Sequence, residues 1–217
     1  MIKNQLKKIL LKTPTTRLWL KKQYLHKAFL KNSGWLLSAK NNIPVDANNN
    51  PLPWLGYSTI HFLNQKSLNN LSVFEYGSGN STLWFAQRVK KIVSVEHDKK
   101  WFDLMKPKLS NLTNVEYKFK ALENNDYETE ILKSTDLYDL VIIDGRRRIK
   151  CAKNALNKLT DKGLILWDNS DRENYAPGID YLKQKGFKQI EFWGIAPGMH
   201  IATGTSIFYR EKNALEI

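Results

Sequence analysis

The run Val73-Phe74-Glu75-Tyr76-Gly77-Ser78-Gly79-Asn80-Ser81-Thr82 decides the fold of this 217-residue chain. A strand-forming segment leads into a Gly-x-Gly turn, after which Ser81 and Thr82 are placed to cap a helix. Glycines at such a turn tolerate positive φ and let the backbone approach a ligand closely. In an open parallel sheet, the first strand-to-helix turn is where a nucleotide-like ligand binds. The run therefore predicts a ligand-binding βα unit.

Short strand-like runs alternate with amphipathic stretches on the carboxyl-terminal side of this unit. The predicted strands are 73–76, 92–96, 115–119, 140–144 and 164–168, and the predicted helices are 81–90, 99–109 and 147–159. This alternation predicts parallel βαβ units in a doubly wound sheet. A helix at 175–185 is then followed by strands 187–193 and 203–210, whose direct connection predicts an antiparallel hairpin at one sheet edge. We therefore expect an α/β fold with a mostly parallel, seven-stranded, Rossmann-like sheet, a terminal antiparallel strand and a helical N-terminal extension.

The composition is that of a globular chain. Hydrophobic residues make up 42% and aromatic residues 12%, which excludes wholesale disorder. One cysteine, Cys151, excludes an internal disulfide framework and a cysteine-based zinc site within one chain. No run approaches 18 apolar residues, so no membrane-spanning helix is predicted. A reducing, cytoplasmic setting is expected, with peripheral membrane contact as an addition that the charge distribution suggests.

The positive charge is concentrated at the amino terminus. The net charge is +13, and residues 1–45 hold ten basic side chains and no acidic one, so +10 of it lies there. The ten are Lys3, Lys7, Lys8, Lys12, Arg17, Lys21, Lys22, Lys27, Lys31 and Lys40. This asymmetry predicts a basic helical extension or lid at 1–64 on a nearly neutral domain at 65–217.

The extension has helical spacing, interrupted at Thr13-Pro14 and Ser33-Gly34, which predicts two helices. Their apolar stripes are Leu6, Ile9 and Leu10, then Leu18, Leu20, Tyr24, Leu25 and Phe29. Three roles stay open: contact with an anionic membrane near a lipid-linked or glycan-linked acceptor, phosphate contacts with nucleic acid, or a lid that also forms a homodimer interface. No RNA-binding signature accompanies the charge, which disfavours nucleic acid.

Acidic residues end three further predicted strands. Glu96 lies 21 residues after Glu75, where a carboxylate can accept the hydroxyl hydrogens of a ribose. Asp144 and Asp168-Asn169 follow the fourth and fifth strands and should meet at the same sheet edge. Three oxygen ligands there suit a hard cation such as Mg²⁺ or Ca²⁺.

With these residues, the sequence resembles the class I S-adenosylmethionine-dependent methyltransferases over about residues 71–210, and small methyltransferase-like proteins with a Glu-Tyr-Gly-Ser-Gly-Asn-Ser-Thr run. Glu75 stands two places before the first glycine, as in the family's Asp/Glu-x-Gly-x-Gly motif. Thr82 replaces the third glycine that nicotinamide dehydrogenases carry, and the terminal strand pair resembles the family's antiparallel last strand.

The resemblance implies a set of S-adenosylmethionine-binding residues. Glu75 would lie near the amino group, Gly77 to Gly79 along the methionine part, and Glu96 on the ribose. His97 would lie near the adenine edge, and Leu122 beside the adenine. The full set is Glu75, Tyr76, Gly77, Ser78, Gly79, Ser81, Thr82, Glu96, His97, Leu122 and Asp144. Glu96 as a strand-end carboxylate near Lys99 and Lys100, and His97 as a surface residue, remain alternatives.

Asp144, Asp168 and Asn169 are similar to the Asp…Asp-Asn metal set of catechol-type O-methyltransferases. In those enzymes a lysine base lies three residues after the first Asp, whereas Arg147 stands here. Arginine stays protonated, so it is a poor base but a good anion clamp. Asp144, Asp168, Asn169 and Arg147 are the catalytic candidates. Three interpretations stay open: the acidic residues bind a metal, Asp144 or Asp168 acts on the substrate without a metal, or the residues are purely structural.

The neighbouring residues bear on the acceptor. Nucleobase amino-methyltransferases carry Asn/Asp-Pro-Pro-Tyr/Phe after the fourth strand, whereas this chain has Asp144-Gly145-Arg146-Arg147, which favours a hydroxyl or carboxyl acceptor. The Arg146-Arg147-Arg148 run suggests capture of an acidic substrate, or a solvated helical turn. His200 is a further candidate base, and Trp54 and Tyr57 could wall the cofactor or anchor the linker.

The predicted function is S-adenosylmethionine-dependent methyl transfer to an oxygen of a small or carrier-linked substrate, with divalent metal assistance left open. One alternative is a nicotinamide-dependent oxidoreductase. Another is a non-catalytic nucleic-acid- or membrane-binding protein with a vestigial cofactor site.

Overall fold

Residues 14–217, which the computed structural model describes, contain a seven-stranded sheet. Its strands are β1 (Ser72–Tyr76), β2 (Lys91–Glu96), β3 (Val115–Phe119), β4 (Tyr138–Ile143), β5 (Leu159–Asp168), β6 (Lys188–Ile195) and β7 (Ala202–Tyr209). The spatial order is β3-β2-β1-β4-β5-β7-β6, with β1 to β5 paired in parallel. The order reverses between β1 and β4, and an open α/β sheet has its ligand crevice at such a switch point.

The last two strands form the predicted antiparallel hairpin at one edge of the sheet. β7 pairs antiparallel with both β5 and β6, and β6 is the outermost strand. The one strand that runs against the others is therefore the last in the chain, although it lies second from the edge. The predicted doubly wound, mostly parallel α/β fold is confirmed.

Helices connect the parallel strands and lie on both sides of the sheet. They are α1 (Pro14–Tyr24), α2 (Trp35–Asn41), α3 (Tyr57–Asn64), α4 (Asn80–Ala86), α5 (Lys99–Leu109), α6 (Asp126–Thr129), α7 (Arg148–Ala155) and α8 (Ala176–Gln184). Single helical turns extend several of them, at Leu25–Lys31, Glu123–Asn125, Glu130–Lys133, Leu156–Lys158 and Glu173–Tyr175. The helix predicted at 81–90 ends at Ala86, because the backbone N–H groups of Lys90 and Lys91 bind the Leu71 carbonyl and lead into β2.

Both faces of the sheet are covered, which leaves its carboxyl end as the place for a site. Alternate residues of β1 enter two separate cores: Val73 packs with Trp84 and Leu166, whereas Phe74 packs with Tyr138 and Trp167 on the other side. Parallel sheets with helices on both faces bury their strands in this way.

The N-terminal segment joins the body through α2. The helical break predicted at Ser33-Gly34 is present: Gly34 has φ +81°, and a Cβ there would lie 2.4 Å from the Val45 carbonyl oxygen. The Trp35 indole donates to the Met199 carbonyl at 2.7 Å in the β6–β7 turn. The expected break at Thr13-Pro14, the first apolar stripe and the first four lysines fall wholly or partly outside the described residues. In residues 14–217, no helix has the length and apolar character needed to cross a membrane.

Candidate functional site

Three adjoining cavities open at the carboxyl ends of the parallel strands. The β2 cavity, about 440 Å³, is lined by Ser78, Glu96 and Arg146, and the β5 cavity, about 470 Å³, by Asp168 and Asn169. A smaller cavity of about 130 Å³ lies between Ser78–Ser81, Trp101 and residues 42–44. Asp144 lines all three, and Arg172 lines the two larger ones. The candidate site is therefore one continuous groove centred on Asp144.

The glycine turn brings the chain close to the end of β4. Gly77 has φ +94°, and a Cβ there would lie 2.9 Å from the Gly145 nitrogen, so only glycine fits without strain. The following helix begins at Asn80 with Gly79 as its N-cap residue. Of the two residues expected to cap this helix, Thr82 does so from the third helical position, where its hydroxyl accepts a hydrogen bond from the Gly79 N–H at 3.1 Å.

Glu75 is fully buried at the start of this turn. Its Oε2 accepts hydrogen bonds from the hydroxyls of Thr82 at 2.5 Å and Ser94 at 2.6 Å, whereas Oε1 has no hydrogen-bond partner among the described residues. Burial raises the pKa of Glu75 to about 7, and the hydroxyl donors oppose part of that rise. The turn thus contains a fully buried carboxyl close to the hydroxyls of Ser81, Thr82 and Ser94, and this carboxyl lines none of the three cavities.

Replacing Glu75 by glutamine should change how stability depends on pH. A folded-state pKa of about 7 against an ordinary 4.5 means that the folded protein holds a proton that the unfolded chain releases. Stability from this group is therefore lost as pH rises from about 4.5 to 7, by about 3 kcal/mol in the free energy of unfolding. Between pH 4.5 and 8, urea unfolding should show a loss that is about 3 kcal/mol smaller in Glu75→Gln than in the wild type, and the raised pKa values of Asp144 and Asp168 should maintain the remaining loss in both proteins. Asp103→Asn, at an exposed residue, should behave as the wild type, and equal pH slopes in all three proteins would contradict the expectation.

Glu96 ends β2 and is satisfied by protein donors. Its Oε2 accepts from the Ser78 N–H at 3.1 Å and the Ser78 hydroxyl at 2.9 Å. Its Oε1 accepts from the N–H groups of His97 at 2.7 Å and Asp98 at 2.8 Å. Lys99, the alternative partner of Glu96, pairs with Asp103 at 2.5 Å instead. The Glu96 carboxylate therefore contacts the glycine turn. The structure therefore brings Glu96 and Ser78 together at the wall of the β2 cavity.

Of three other predicted cofactor residues, His97 lines the groove, whereas Tyr76 and Leu122 do not. His97 lines the β2 cavity, with its ring 5.5 Å from that of Tyr127. Tyr76 lies in the core, where its hydroxyl donates to the Glu128 carbonyl at 2.9 Å, and its side chain faces away from the groove. Leu122 is half-buried against the same core and lines none of the three cavities.

Trp101 is a groove residue that the sequence reasoning missed. Its indole donates to the Ser78 carbonyl at 2.8 Å, and its ring lines two of the cavities. This contact joins the first turn of α5 to the glycine turn, 23 residues apart, so no local pattern signals it.

A buried arginine lies between the acidic residues that follow β4 and β5. Arg148 Nη2 donates to Asp144 Oδ1 at 3.0 Å and to the Asp144 carbonyl at 2.8 Å, and Nε donates to the Gly145 carbonyl at 2.9 Å. Its Nη1 donates to the Asp168 carbonyl and lies 4.0 Å from Asp168 Oδ2. Asp168 also accepts from the Thr205 hydroxyl at 2.7 Å. A permanent cation therefore holds the two strand ends together.

The two carboxyls differ in exposure and share an environment that disfavours charge. Burial and the neighbouring Asp168 raise the pKa of Asp144 well above its usual range, and Arg148 opposes the rise. Burial also raises the pKa of Asp168, against hydrogen bonding from Thr205. About a quarter of the Asp144 side chain is exposed to solvent, whereas the Asp168 side chain is buried.

The predicted metal site does not fit this arrangement. Asp144, Asp168 and Asn169 are near one another, but the Arg148 guanidinium is bonded to the Asp144 carboxylate on the side facing Asp168. A cation bound there would meet a buried positive charge, which opposes divalent-ion binding. Within residues 14–217, no group of three or more His, Cys, Asp or Glu side chains is placed to hold a metal.

The three consecutive arginines have three different environments. Arg147, at φ +50°, donates to Glu128 at 2.9 Å and to Asn125 at 3.1 Å and lines none of the three cavities, so its position does not support the expected anion clamp. Arg148 is buried, as described. Arg146 is exposed, lines the β2 cavity and has no side-chain ion pair within residues 14–217. Arg172, which the sequence reasoning missed, has the same properties and lines both larger cavities.

The remaining candidates separate into groove and scaffold residues. Trp54 lines two of the cavities, and its indole donates to the Pro197 carbonyl at 3.0 Å. It therefore forms part of the groove wall and also fixes the linker to the β6–β7 turn. Tyr57 is an anchor: its hydroxyl donates to the Ser33 carbonyl, and its ring packs on Phe29. His200 is exposed and lines none of the three cavities, and Cys151 is buried as expected.

No family model and no curated protein matches the sequence. Solved structures do share the fold. A putative O-methyltransferase from Klebsiella pneumoniae is 17% identical with TM-score 0.56, and the match covers 88% of this chain and 96% of that one. A precorrin-6y C5,15-methyltransferase from Geobacter metallireducens is 13% identical with TM-score 0.55, covering 70% and 86%. A putative methyltransferase from Streptococcus mutans in complex with SAH is 18% identical with TM-score 0.52, covering 70% and 95%. The chain therefore has a Rossmann-like methyltransferase fold.

Proposed function

We propose that this protein is an S-adenosylmethionine-dependent methyltransferase that transfers the methyl group to an oxygen of its acceptor. The observation that carries the proposal is the Glu96 carboxylate, which lines the β2 cavity beside the Gly77–Gly79 turn at the point where the strand order reverses. Protein donors fill both of its oxygens, so in this proposal a ribose hydroxyl takes the place of the Ser78 hydroxyl on Oε2.

The residues of the groove fit the rest of such a ligand. Gly77 and Gly79 leave no side chain on either side of Ser78, and the buried Glu75 holds the turn from behind through the hydroxyls of Thr82 and Ser94. S-adenosylmethionine, when bound, supplies an electrophilic methyl group. In this proposal Glu96 binds the ribose, and the Gly77–Gly79 turn orients the methionine part toward Asp144.

Asp144 is our candidate for the group that accepts the acceptor's proton. It is the carboxylate common to all three cavities, and in this proposal the acceptor lies in the β5 cavity. Arg148 holds it in place, and Asp168 and Asn169 complete the polar wall. Transfer between aligned groups needs chiefly positioning and removal of one proton.

An acidic acceptor is the substrate class that the groove favours. Arg146 and Arg172 present guanidinium groups to the cavities without an ion-pair partner in residues 14–217, and arginine binds carboxylate or phosphate in a bidentate manner. Trp54, Met199 and Ile201 provide an apolar wall for the remainder of the acceptor.

Calorimetric titration with S-adenosylhomocysteine, with NADH as the comparison ligand, tests the proposal. Binding of S-adenosylhomocysteine at micromolar concentration and no binding of NADH is the expected result. The absence of S-adenosylhomocysteine binding, or binding of NADH instead, would overturn it.

Replacing Ser78 by alanine should leave S-adenosylhomocysteine affinity unchanged or raise it a few-fold. The Ser78 hydroxyl occupies Glu96 Oε2, the acceptor that a ribose hydroxyl would use, and one such hydrogen bond contributes about 1 kcal/mol. Ser67→Ala, at an exposed serine outside the groove, is the matched control for the titration. A tenfold loss of affinity in Ser78→Ala alone would show that the hydroxyl binds the ligand rather than competing with it.

A further inference from the structure

The segment 14–31 projects from the body and is exposed almost all round. It comprises α1 and the helical turn Leu25–Lys31, and α1 contains no buried residue. Its carboxyl-terminal end contacts the body through Phe29, whose ring packs edge-on against the ring of Tyr57 with the centroids 5.4 Å apart. Among residues 14–217, the segment therefore contacts the body through its carboxyl-terminal end and exposes most of its surface.

That surface is unusually apolar for an exposed helix. Leu18, Trp19, Tyr24 and Leu25 are each between 55% and 59% exposed. A single exposed apolar residue needs no explanation, but four within eight residues, distributed around the helix, leave an unusual amount of apolar surface exposed.

The same surface is purely basic. Residues 14–31 carry five basic side chains and no acidic one; the five are Arg17, Lys21, Lys22, Lys27 and Lys31. Leu18 and Leu25 lie seven residues apart on one side of the segment, and Lys21 and Lys22 lie between them on that side. Apolar and cationic side chains thus occupy one face instead of opposite faces.

We propose that this segment binds the surface of an anionic phospholipid membrane. Leucine and tryptophan side chains at such a surface enter the boundary between headgroups and acyl chains, and lysines beside them extend to the phosphates. Each Lys or Arg near an anionic surface strengthens binding about fivefold, so the five cations of the segment provide a substantial attraction.

Charge and chemistry together select this occupant. A second copy would place five cations against five cations without an intervening acid, which opposes self-association through this face. A nucleic acid would neutralise the lysines but leave Leu18 and Leu25 in water. An anionic bilayer satisfies both the charge and the apolar surface.

The test is co-sedimentation of the full chain with vesicles of phosphatidylcholine alone or mixed with phosphatidylglycerol. Binding is expected only to the mixed vesicles. Lys21→Glu/Lys22→Glu should weaken it by about 20-fold or more, and Leu18→Ser/Leu25→Ser by on the order of tenfold. Lys90→Glu/Lys183→Glu, which makes the same charge change at exposed lysines of the body, should lose far less.

Lipids brominated on their acyl chains provide a second readout. They should quench part of the tryptophan fluorescence, and that part should be absent in Trp19→Phe. Three results would overturn the proposal: equal binding to both vesicle types, loss in the charge variant with none in the leucine variant, or tight binding to single-stranded RNA with none to mixed vesicles. Dimerisation that the leucine variant abolishes would assign the face to a second copy and also overturn it. S-adenosylhomocysteine binding should be unaffected in every variant, which separates this proposal from the catalytic one.

Discussion

Replacement of Glu96 by glutamine is expected to weaken S-adenosylhomocysteine binding by on the order of 100-fold. Hydrogen bonds to a charged group contribute about 1.5–3 kcal/mol each, and the substitution removes the charge while placing an amide NH₂ against donors. The four N–H and O–H donors around Glu96 come from Ser78, His97 and Asp98, and an amide can accept from only one side. Calorimetric titration measures the change directly.

The matched control is Glu116→Gln. Glu116 lies on the neighbouring strand β3, where it is half-exposed and pairs with Lys118 at 3.0 Å. Its replacement should leave S-adenosylhomocysteine affinity within about twofold, because exposed ion pairs contribute little. Equal affinities in the two variants would mean that the carboxylate at the end of β2 does not bind the ribose. Circular dichroism of both variants checks that a loss of binding is not a loss of fold.

Replacement of Arg148 by methionine is expected to lower the free energy of unfolding by about 3–5 kcal/mol, the usual cost of leaving a buried charge without its partner. Arg148 is 6% exposed and donates to the Asp144 carboxylate and to the carbonyls of Asp144, Gly145 and Asp168. Without it, two neighbouring carboxyls face each other and three carbonyls lose a donor. Urea unfolding at constant pH measures the loss.

Arg146→Met, two residues earlier, is the control for this effect. Arg146 is exposed and has no side-chain partner within residues 14–217, so its replacement should change stability by less than about 0.5 kcal/mol. Arg148→Lys should fall between the two, because lysine retains the charge but not the planar set of donors. A loss below about 1 kcal/mol in Arg148→Met would show that the guanidinium does not hold the β4 and β5 ends together.

The fold followed from the sequence because its signals are local and periodic. Alternating strand-like and helical runs predicted the parallel sheet, and the direct link between 187–193 and 203–210 predicted the antiparallel hairpin. The carboxyl ends of parallel strands converge on one edge, so the strand-end positions of Glu96, Asp144 and Asp168 also indicated where the groove lies. The glycine turn was predicted for the same reason, and Gly77 has the positive φ that favours glycine.

The groove's individual contacts could be decided only by the tertiary structure. Three consecutive arginines look alike in sequence, yet φ +50° at Arg147 turns it toward Glu128, while Arg148 enters the space between Asp144 and Asp168. Ser78 binds Glu96 across 18 residues, and Trp101 reaches the same turn across 23. Such contacts depend on the packing of separate βα units and on single backbone angles. Sequence periodicity determines which face and which edge a residue occupies, whereas the partner of its side chain is set by what the fold brings opposite to it.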